Sequence, residues 1–210
     1  MAAHALHIFP LPLVVFEFEK IHLHIFEPRY KRLVHDCVAT DLSFGIPFYY
    51  KNKMYGTGAE VRIAEIVKTY ESGEMDIVCQ AGSRFELLEH FPSADVNQAG
   101  TALVNFLPYM QDEEKELDLR IYDLLAELYR HSEIHAPAGF EEGAAMLQFA
   151  HKCGLSPEQE YEMSCLQSAA ERQLYMLSHL KELVAVASEI DRMKKLIRLN
   201  GHFKKLPQQF

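Results

Sequence analysis

The chain has 210 residues, which is long enough for one large domain or two small ones and for a sizeable buried core. Apolar residues make up 49% of it and charged residues 24%, a mixture that excludes a disordered, collagen-like or disulfide-scaffold protein. Acidic residues outnumber basic residues by 30 to 21, for a net charge of −9 at pH 7. That surplus argues against a general nucleic-acid binder, whose affinity comes mainly from basic side chains facing phosphates.

The basic charge is concentrated at the C-terminal end of the chain. Residues 192–210 contain six Lys or Arg and no acid, so the first 191 residues carry a net charge of −15. Basic residues stabilise the C-terminal end of a helix through its dipole, which is the simpler explanation of the pattern. Contact of this short basic end with an acidic partner or a nucleic acid stays open.

The sequence carries no pattern for a membrane span or for export. The apolar run at residues 8–16 contains two prolines and is shorter than the roughly 20 residues that a spanning helix needs. The first basic residue, Lys20, follows that run, whereas a secretory leader has its basic residues first. The four cysteines form no C-x-x-C pair and are typical of reduced thiols. We therefore expect a cytoplasmic protein with no membrane partner.

Short strands separated by turns dominate residues 1–110. Alternation of apolar and polar residues is clearest at residues 61–68, and turn residues follow at Ser72-Gly73 and again at residues 81–83. One helix interrupts the strands: Pro28 suits its first turn, and the apolar residues that follow recur at helical spacing. That apolar stripe consists of Tyr30, Leu33, Val34, Cys37 and Val38. The predicted strands span residues 44–50 (ending in a turn at residues 51–53), 61–68, 76–80, 84–89 and 101–109. The pattern indicates an antiparallel barrel or sandwich.

After an acidic link at residues 112–114 the pattern becomes helical. Leucine and isoleucine recur on one face from Leu117 onward, and a second short helix at about residues 144–150 ends before Gly154. Ser156 followed by proline and, later, glutamine is a strong helix start. One straight helix over residues 158–200 would measure about 64 Å, longer than a compact globule of this size, so we split it at about residues 166–168.

The sequence thus predicts two domains. Residues 1–110 form the strand-rich domain, and residues 111–210 form a helical bundle. The last helix of the bundle is predicted to run from about Ala169 to Leu199. It begins at a capping box of Ser168 and Glu171 and ends at Asn200-Gly201, where a left-handed residue is tolerated.

Motifs for cofactor or metal chemistry are missing from the sequence. There is no phosphate-binding glycine loop, no nucleophile elbow and no paired-histidine zinc motif, so we predict no cofactor and no metal. His131 and His135, with Glu133 between them, make a two-histidine match of the kind expected by chance among eleven histidines. A small hydrolase whose site is assembled only in space stays open as a residual alternative.

Aromatic residues of the strand-rich region cluster in or beside predicted loops and strand ends. Phe18, among Glu17, Glu19 and Lys20, has the most polar surroundings and suggests an exposed ring. Exposed aromatic patches commonly mark interaction surfaces, although each of these residues could also pack inside a small barrel. The candidate polypeptide-binding surface consists of Phe16, Phe18, Phe48, Tyr49, Tyr50 and Tyr55.

The N-terminal sequence contains a distinctive segment at residues 8–16 and, most specifically, the signature His24, Ile25, Phe26, Glu27, Pro28, Arg29 and Tyr30. These residues resemble the Lon N-terminal domain family, which is the substrate-binding domain of the ATP-dependent Lon proteases. Supporting stretches at residues 44–47, 56–67 and 73–85 follow in the family's order, and the C-terminal part looks like its helical extension. The chain is identified as resembling a stand-alone bacterial member.

The resemblance implies a fold and a function. The fold is α+β: a PUA-like pseudo-barrel of mostly antiparallel strands with one inserted helix, followed by a helical bundle with a long last helix. The function is a non-catalytic protein-binding module, because the ATPase and Ser–Lys protease domains are missing. Its expected partners are unfolded or damaged polypeptides with exposed hydrophobic segments, a separate ATPase or protease, and a second copy in a homodimer. The alternative is a PUA-like RNA-binding protein, which the charge of the first 191 residues makes a poor fit.

Two local expectations follow from the same resemblance. The family has Pro-Gly after its first strand, where this chain has Glu17-Phe18, so the turn must form without the freedom of glycine at positive φ. The signature residues are expected mainly to hold the fold: Glu27 caps the helix, Arg29 pairs with a carboxylate and Tyr30 packs on the sheet.

Overall fold

The computed structural model of this chain describes residues 3–202, which form two compact units. The first unit combines the described residues up to Met110 with Ser156–Gln167, and the second combines Gln111–Leu155 with the residues from Ser168 onward. The single division at residue 110 stays a prediction. The two units are not continuous stretches of chain, because the short helix after Ser156 packs with the strand-rich unit.

Six strands form one mostly antiparallel sheet in the first unit. Its hydrogen-bonded order is β1-β6-β5-β4-β3, and β2 pairs with the first part of β5. Ile8 and Leu11 continue the chain beyond β1 and make parallel bridges to Gly45 and Phe48 in β3, so the two ends of the sheet meet. The strands are β1 (His4–His7), β2 (Lys20–Ile25), β3 (Phe44–Tyr50), β4 (Lys53–Thr69), β5 (Met75–Phe91) and β6 (Thr101–Phe106). The predicted α+β pseudo-barrel is confirmed.

The turn predicted at residues 81–83 is wrong, because β5 runs through it as one strand. The pairing register between β4 and β5 shifts between Ala59 and Val61, opposite this segment. Such a bulge bends a strand without ending it. Gly82 is compatible with a turn and also with a bulged strand. The predicted strands at residues 76–80 and 84–89 are therefore one element. The turn predicted at Ser72-Gly73 is confirmed, with Gly73 at φ 75°.

The inserted helix α1 (Pro28–Thr40) buries one side against the sheet, as predicted. Tyr30, Leu33, Val34 and Cys37 are buried there, in one core with residues of β2, β3, β4 and β5. Val38, which was predicted in the same stripe, is exposed, because it lies at the edge of the helix face near its C-terminal end. At the β3–β4 pairing, Gly58 allows the backbones to approach: a Cβ there would lie 2.5 Å from the carbonyl oxygen of Ile46.

The described residues contain four α-helices, and the predicted starts of the last two are confirmed. Ser156 caps α3 (Pro157–Cys165) with its side chain, in a reciprocal capping box with Gln159. Ser168 likewise accepts a hydrogen bond from the backbone N–H of Glu171 at the start of α4. The second unit contains α2 (Lys115–Ser132), a 3-10 helix (Met146–Lys152) and α4 (Ala169–His202).

The predicted end of the last helix is wrong by a few residues. Helical backbone continues through Asn200-Gly201 to His202, because both residues permit the left-handed conformation without requiring it. The basic residues Lys204 and Lys205 lie outside the described residues. None of the helices in the described part of the chain is both long and apolar enough to cross a membrane.

Candidate functional site

The β3–β4 hairpin is the element that carries most of the predicted aromatic surface. Its turn residues, Lys51 and Asn52, have φ angles of 49° and 61°. Positive φ at both central residues is typical of the tight hairpin turn that matches the twist of the flanking strands. The register shifts between Pro47 and Tyr49, so Phe48 lies at a bulge just before this tip.

Four aromatic rings meet next to the tip of the hairpin, and we call them the hairpin cluster: Phe48, Tyr50, Tyr55 and Tyr161. The Phe48 ring centroid lies 5.7 Å from that of Tyr50, 4.9 Å from Tyr55 and 5.4 Å from Tyr161. The rings of Tyr55 and Tyr161 meet edge to face at 4.6 Å. These separations and tilts are the ones that aromatic pairs favour.

Helix α3 holds the hairpin cluster from outside the sheet. The ammonium group of Lys51 donates to a carboxylate oxygen of Glu158 at 2.5 Å, and the Thr57 hydroxyl donates to the Tyr161 hydroxyl at 2.7 Å. The hydrogen bond with Glu158 raises the pKa of Lys51 and lowers the pKa of Glu158 itself. Burial raises the pKa of Tyr161. The cluster is therefore fixed by an ion pair and a hydrogen bond as well as by ring packing.

The structure divides the predicted hairpin residues between core and surface. Tyr49 is 37% exposed, and Tyr50 and Tyr55 are half-buried. The Lys51 ammonium lies 5.0 Å from the centre of the Tyr50 ring, and that of Lys53 lies 4.9 Å from the centre of the Tyr55 ring. Both cations sit at the distance of a cation–π contact. The tip thus presents tyrosine rings edged by positive charge.

Placing Phe48 on an exposed surface is wrong, because only 2% of it is accessible. Its bulge turns the ring toward Tyr161 of α3, a residue that sequence reasoning did not select. Tyr161 is more than a hundred positions away from its partner Thr57. The signal that could have found it was the strong helix start at Ser156, which predicts a short helix whose few apolar positions must pack somewhere.

The turn before β2 separates the other two predicted residues. Phe16 is only 8% exposed, so its assignment to a surface is also wrong; the turn points its side chain into the fold. Phe18 is 59% exposed and adopts φ 65°, so the turn forms with a phenylalanine at positive φ. Its ring centroid lies 6.1 Å from that of Tyr109.

A buried ion pair lies beneath this turn. A carboxylate oxygen of Glu17 is 2.8 Å from Nε of Arg84 on β5, and both side chains are 2% exposed. A buried charge pair of this kind is expensive to break from one side only. The buried Glu17 side chain therefore holds the turn, whereas the neighbouring Phe18 projects an exposed ring.

The signature residues likewise divide into a buried and an exposed set. Ile25 is buried, and Tyr30 is buried with its ring stacked on Phe9 at 3.8 Å. Glu27 precedes α1 as its N-cap residue but makes no side-chain capping bond, which corrects that expectation; its carboxylate accepts a hydrogen bond from Arg29 at 2.7 Å instead. Phe26 is 57% exposed. A role in the fold stays the prediction for the signature as a whole.

His24 organises a second exposed cluster that sequence reasoning missed. Its Nδ1 lies 2.6 Å from a carboxylate oxygen of Asp76, and the Tyr70 hydroxyl donates to the other oxygen at 2.7 Å. These two hydrogen bonds hold the pKa of Asp76 below its usual value. The His24 ring stacks with Phe26 at 6.2 Å and meets Tyr70 edge-on at 5.8 Å. The available signal was the alternation of His22 and His24 on one face of a strand.

The described residues offer little for a metal or a small cofactor. Among residues 3–202, no group of three or more His, Cys, Asp or Glu lies close enough to hold a metal ion. His131 is instead within 3.5 Å of Glu127 and Asp191. A cavity of about 250 Å³ lies beside Arg29 and Tyr30. That volume is below the range typical of small-molecule sites.

Comparison with protein families matches residues 5–200 to the family described as the ATP-dependent protease La (LON) substrate-binding domain. Among solved structures, the crystal structure of a Lon N-terminal domain protein from Xanthomonas campestris is 24% identical with a TM-score of 0.63. The match covers 83% of this chain and 98% of the Xanthomonas chain. The N-terminal domain of the Mycobacterium avium complex Lon protease covers 90% and 98%, at 12% identity and a TM-score of 0.47. No curated protein matches. The Xanthomonas structure shows a likeness in fold alone.

Proposed function

Because the chain belongs to the family of ATP-dependent protease La (Lon) substrate-binding domains, we propose that its first unit binds exposed apolar segments of unfolded or damaged polypeptides. The family match confirms the resemblance seen in the sequence. The binding surface that we propose comprises Tyr49, Tyr50 and Tyr55 at the hairpin, together with Phe18.

The observation that carries this proposal is the way the hairpin cluster is held. Tyr50 and Tyr55 keep part of their surface accessible while both rings pack on the buried Phe48, and the Tyr55 ring also meets Tyr161. A ring that is already immobilised loses little conformational entropy when a ligand covers it, so preorganised aromatic residues bind better than mobile ones. Tyrosine also combines a large apolar face with a hydroxyl that can stay hydrated.

The strength of such binding follows from the area that a client covers. Apolar burial contributes about 25 cal/mol per Å² before the client pays its ordering entropy, so one side chain on one ring binds weakly. Selective capture then requires several apolar side chains of one flexible chain to meet the surface together. A folded protein, whose apolar side chains are buried, lacks them.

The experiment compares an unfolded probe with its folded form. Fluorescently labelled α-lactalbumin, reduced and carboxymethylated so that it cannot refold, is titrated with the chain beside the native protein. We expect measurable binding of the unfolded form only, and weaker binding by the Tyr50→Ser, Tyr55→Ser double variant and by Phe18→Ser. Phe91→Ser, which removes an exposed ring at the end of β5, is the matched control. Equal affinity for the folded and unfolded probes would exclude the proposal.

The remaining expectations about partners are part of the same proposal. We propose that the chain binds without catalysing a reaction, that it acts in the cytoplasm and that it can deliver clients to a separate ATPase or protease. For the homodimer, the support is an apolar stripe on α4: Val186, Ile190, Met193 and Ile197 are each at least half exposed. Their spacing of four, three and four residues is the spacing of a coiled-coil seam.

A further inference from the structure

Several strands of the first unit pair on one side only along part of their length, and β4 and β2 are two of them. The pairing of β3 with β4 stops at Phe44 and Val61, so the rest of β4, from Arg62 to Thr69, has β5 as its one partner among the described residues. β2 pairs with β5 and with no other strand in residues 3–202. Each open edge exposes backbone N–H and C=O groups that could pair with another chain.

The open edge of β4 is protected against such pairing. Its register shifts between Ile63 and Glu65 and again between Ile66 and Lys68. Bulges of this kind interrupt the even spacing of backbone groups, and charged side chains on an edge disfavour a neighbouring strand. Arg62, Glu65 and Lys68 place a charge at every third position.

The open edge of β2 lacks these features. Six consecutive residues pair with β5 in unbroken register, from Lys20 opposite Gln80 to Ile25 opposite Met75. The strand contains no proline, and Lys20 is its one residue of the types Lys, Arg, Asp and Glu. By the criteria that protect β4, β2 is an undefended template for an additional strand.

The hydrogen-bond pattern identifies which residues face the open edge. The backbone N–H of Ala81 donates to the carbonyl oxygen of Glu19 at 2.9 Å. Since residues of an antiparallel strand alternate between their two neighbours, Ile21 and Leu23 also direct their backbone groups to β5. Lys20, His22 and His24 therefore direct theirs away from it, at intervals of about 7 Å. That repeat matches an extended polypeptide backbone.

The side chains beside this edge define the kind of polypeptide that fits. Lys20, His22 and His24 are exposed on one face, and the largely exposed Phe26 ring stacks on His24. Residues directly opposite each other in paired strands interact, so opposite charges are favourable and like charges are unfavourable. An added strand with carboxylates opposite Lys20 and His22 would be favoured.

We propose that β2 accepts an extended, acidic polypeptide segment as an additional strand, with Phe26 as an apolar contact beside it. This inference rests on the proposed function only in taking polypeptide as the ligand; it adds a site that recognises backbone, distinct from the hairpin cluster. A second copy of β2 is a poorer occupant. Pairing the outward-facing residues of two copies would place His22 opposite His22 and Lys20 opposite His24, and the Asp76 carboxylate beside His24 is already hydrogen-bonded to it.

The test uses a labelled short peptide that alternates aspartate and valine. In the proposed geometry the aspartates lie on the same face as Lys20 and His22, and their amides are the ones that point at β2. N-methylation of the aspartate amides is expected to weaken binding by about tenfold or more, since several hydrogen bonds are lost together. N-methylation of the valine amides, which point away, is expected to change binding by less than about twofold. The two peptides carry equal numbers of methyl groups and so control for each other.

Variants of the chain test the same edge. His22→Pro removes an outward N–H without removing a bond to β5, and Phe26→Ser removes the exposed ring. Both variants are expected to bind the unmethylated peptide more weakly. Phe91→Ser is expected to bind the unmethylated peptide as tightly as the unaltered chain does. If His22→Pro does not fold by circular dichroism, the methylated peptides still decide the question on the unaltered chain.

The outcomes separate this inference from the proposed function. Equal binding of the two methylated peptides, or no peptide binding at all, overturns strand addition, and the hairpin variants then still report on the proposed function. Self-association that His22→Pro abolishes, with no effect of methylation, also overturns it in favour of a second copy. If the methylated peptides differ while unfolded α-lactalbumin binds no better than native, strand addition stands and capture at the hairpin is wrong.

Discussion

The hairpin cluster of the first unit and the apolar stripe of α4 in the second expose hydrophobic side chains in different ways. At the hairpin, the half-buried rings of Tyr50 and Tyr55 pack on the buried Phe48, and α3 adds the Lys51–Glu158 ion pair. On α4, Val186, Ile190, Met193 and Ile197 share one helix face, each at least half exposed. A braced surface can bind a flexible client without ordering itself. An aliphatic stripe on one helix is better suited to a matching helix, whose side chains fill the spaces between its own.

The largest expected effect is the loss of stability in Phe48→Ala, which tests whether the hairpin is braced and the α4 stripe is not. Removing a fully buried ring leaves a cavity beneath the hairpin tyrosines, and we expect a loss of about 3–5 kcal/mol in the free energy of unfolding. Urea denaturation followed by circular dichroism measures it. Ile190→Ala, a truncation in the exposed stripe, is the control and should change stability by less than about 0.5 kcal/mol. Similar losses in the two variants would mean that the regions do not differ in bracing.

A smaller effect is expected when α3 loses its hydrogen bond to the hairpin. In Tyr161→Phe the ring stays but the acceptor of the Thr57 hydroxyl is removed, which should cost about 1 kcal/mol in stability. Binding of unfolded α-lactalbumin should weaken as well, because the cluster becomes less fixed. Tyr122→Phe, in the second unit, serves as the control for loss of a tyrosine hydroxyl. Unchanged stability together with unchanged binding would show that α3 does not brace the site.

Charge in the α4 stripe should change association and leave stability nearly untouched. Ile190→Glu and Met193→Glu alter exposed positions with a good helix former, so the free energy of unfolding should move by about 0.5 kcal/mol or less. Sedimentation equilibrium should show a concentration-dependent dimer in the unaltered chain and a monomer in these variants. Leu174→Glu introduces the same charge at an exposed position of α4 outside the stripe and should keep the dimer. A monomer in every case would remove the homodimer from the proposal.

The smallest expected effect is a loosening of the hairpin in acid. Glu158 has a pKa below its ordinary value in the folded chain, so its contribution to stability is present above that ordinary value and is lost as the pH falls through the lowered pKa. Lys51, whose pKa is raised, keeps its contribution below its ordinary pKa and loses it only in strong alkali. Tyrosine fluorescence should therefore change on acidification, and less so in Lys51→Met. An identical acid response in that variant would assign the change to other groups.

Signals that act between near neighbours in the chain were predictable from the sequence. The capping boxes at Ser156 and Ser168 and the buried stripe of α1 were correct because a cap or a helix face is formed by residues three or four positions apart. The break between α3 and α4 followed from the same local rules. The signature at residues 24–30 identified the family because its spacing is specific to it, and the family match over residues 5–200 confirmed it.

Exposure and the assembly of the site were decided by the tertiary structure. Phe16 and Phe18 stand two positions apart, yet one is buried and the other is exposed, because the turn and the Glu17–Arg84 pair orient them. Gly82 looked like a turn, but pairing with β4 holds it within β5. Tyr161 joins Phe48 only after the chain has passed through about half of the second unit. Such contacts join residues a hundred positions apart, and no local pattern specifies which distant side chain will cover a given ring.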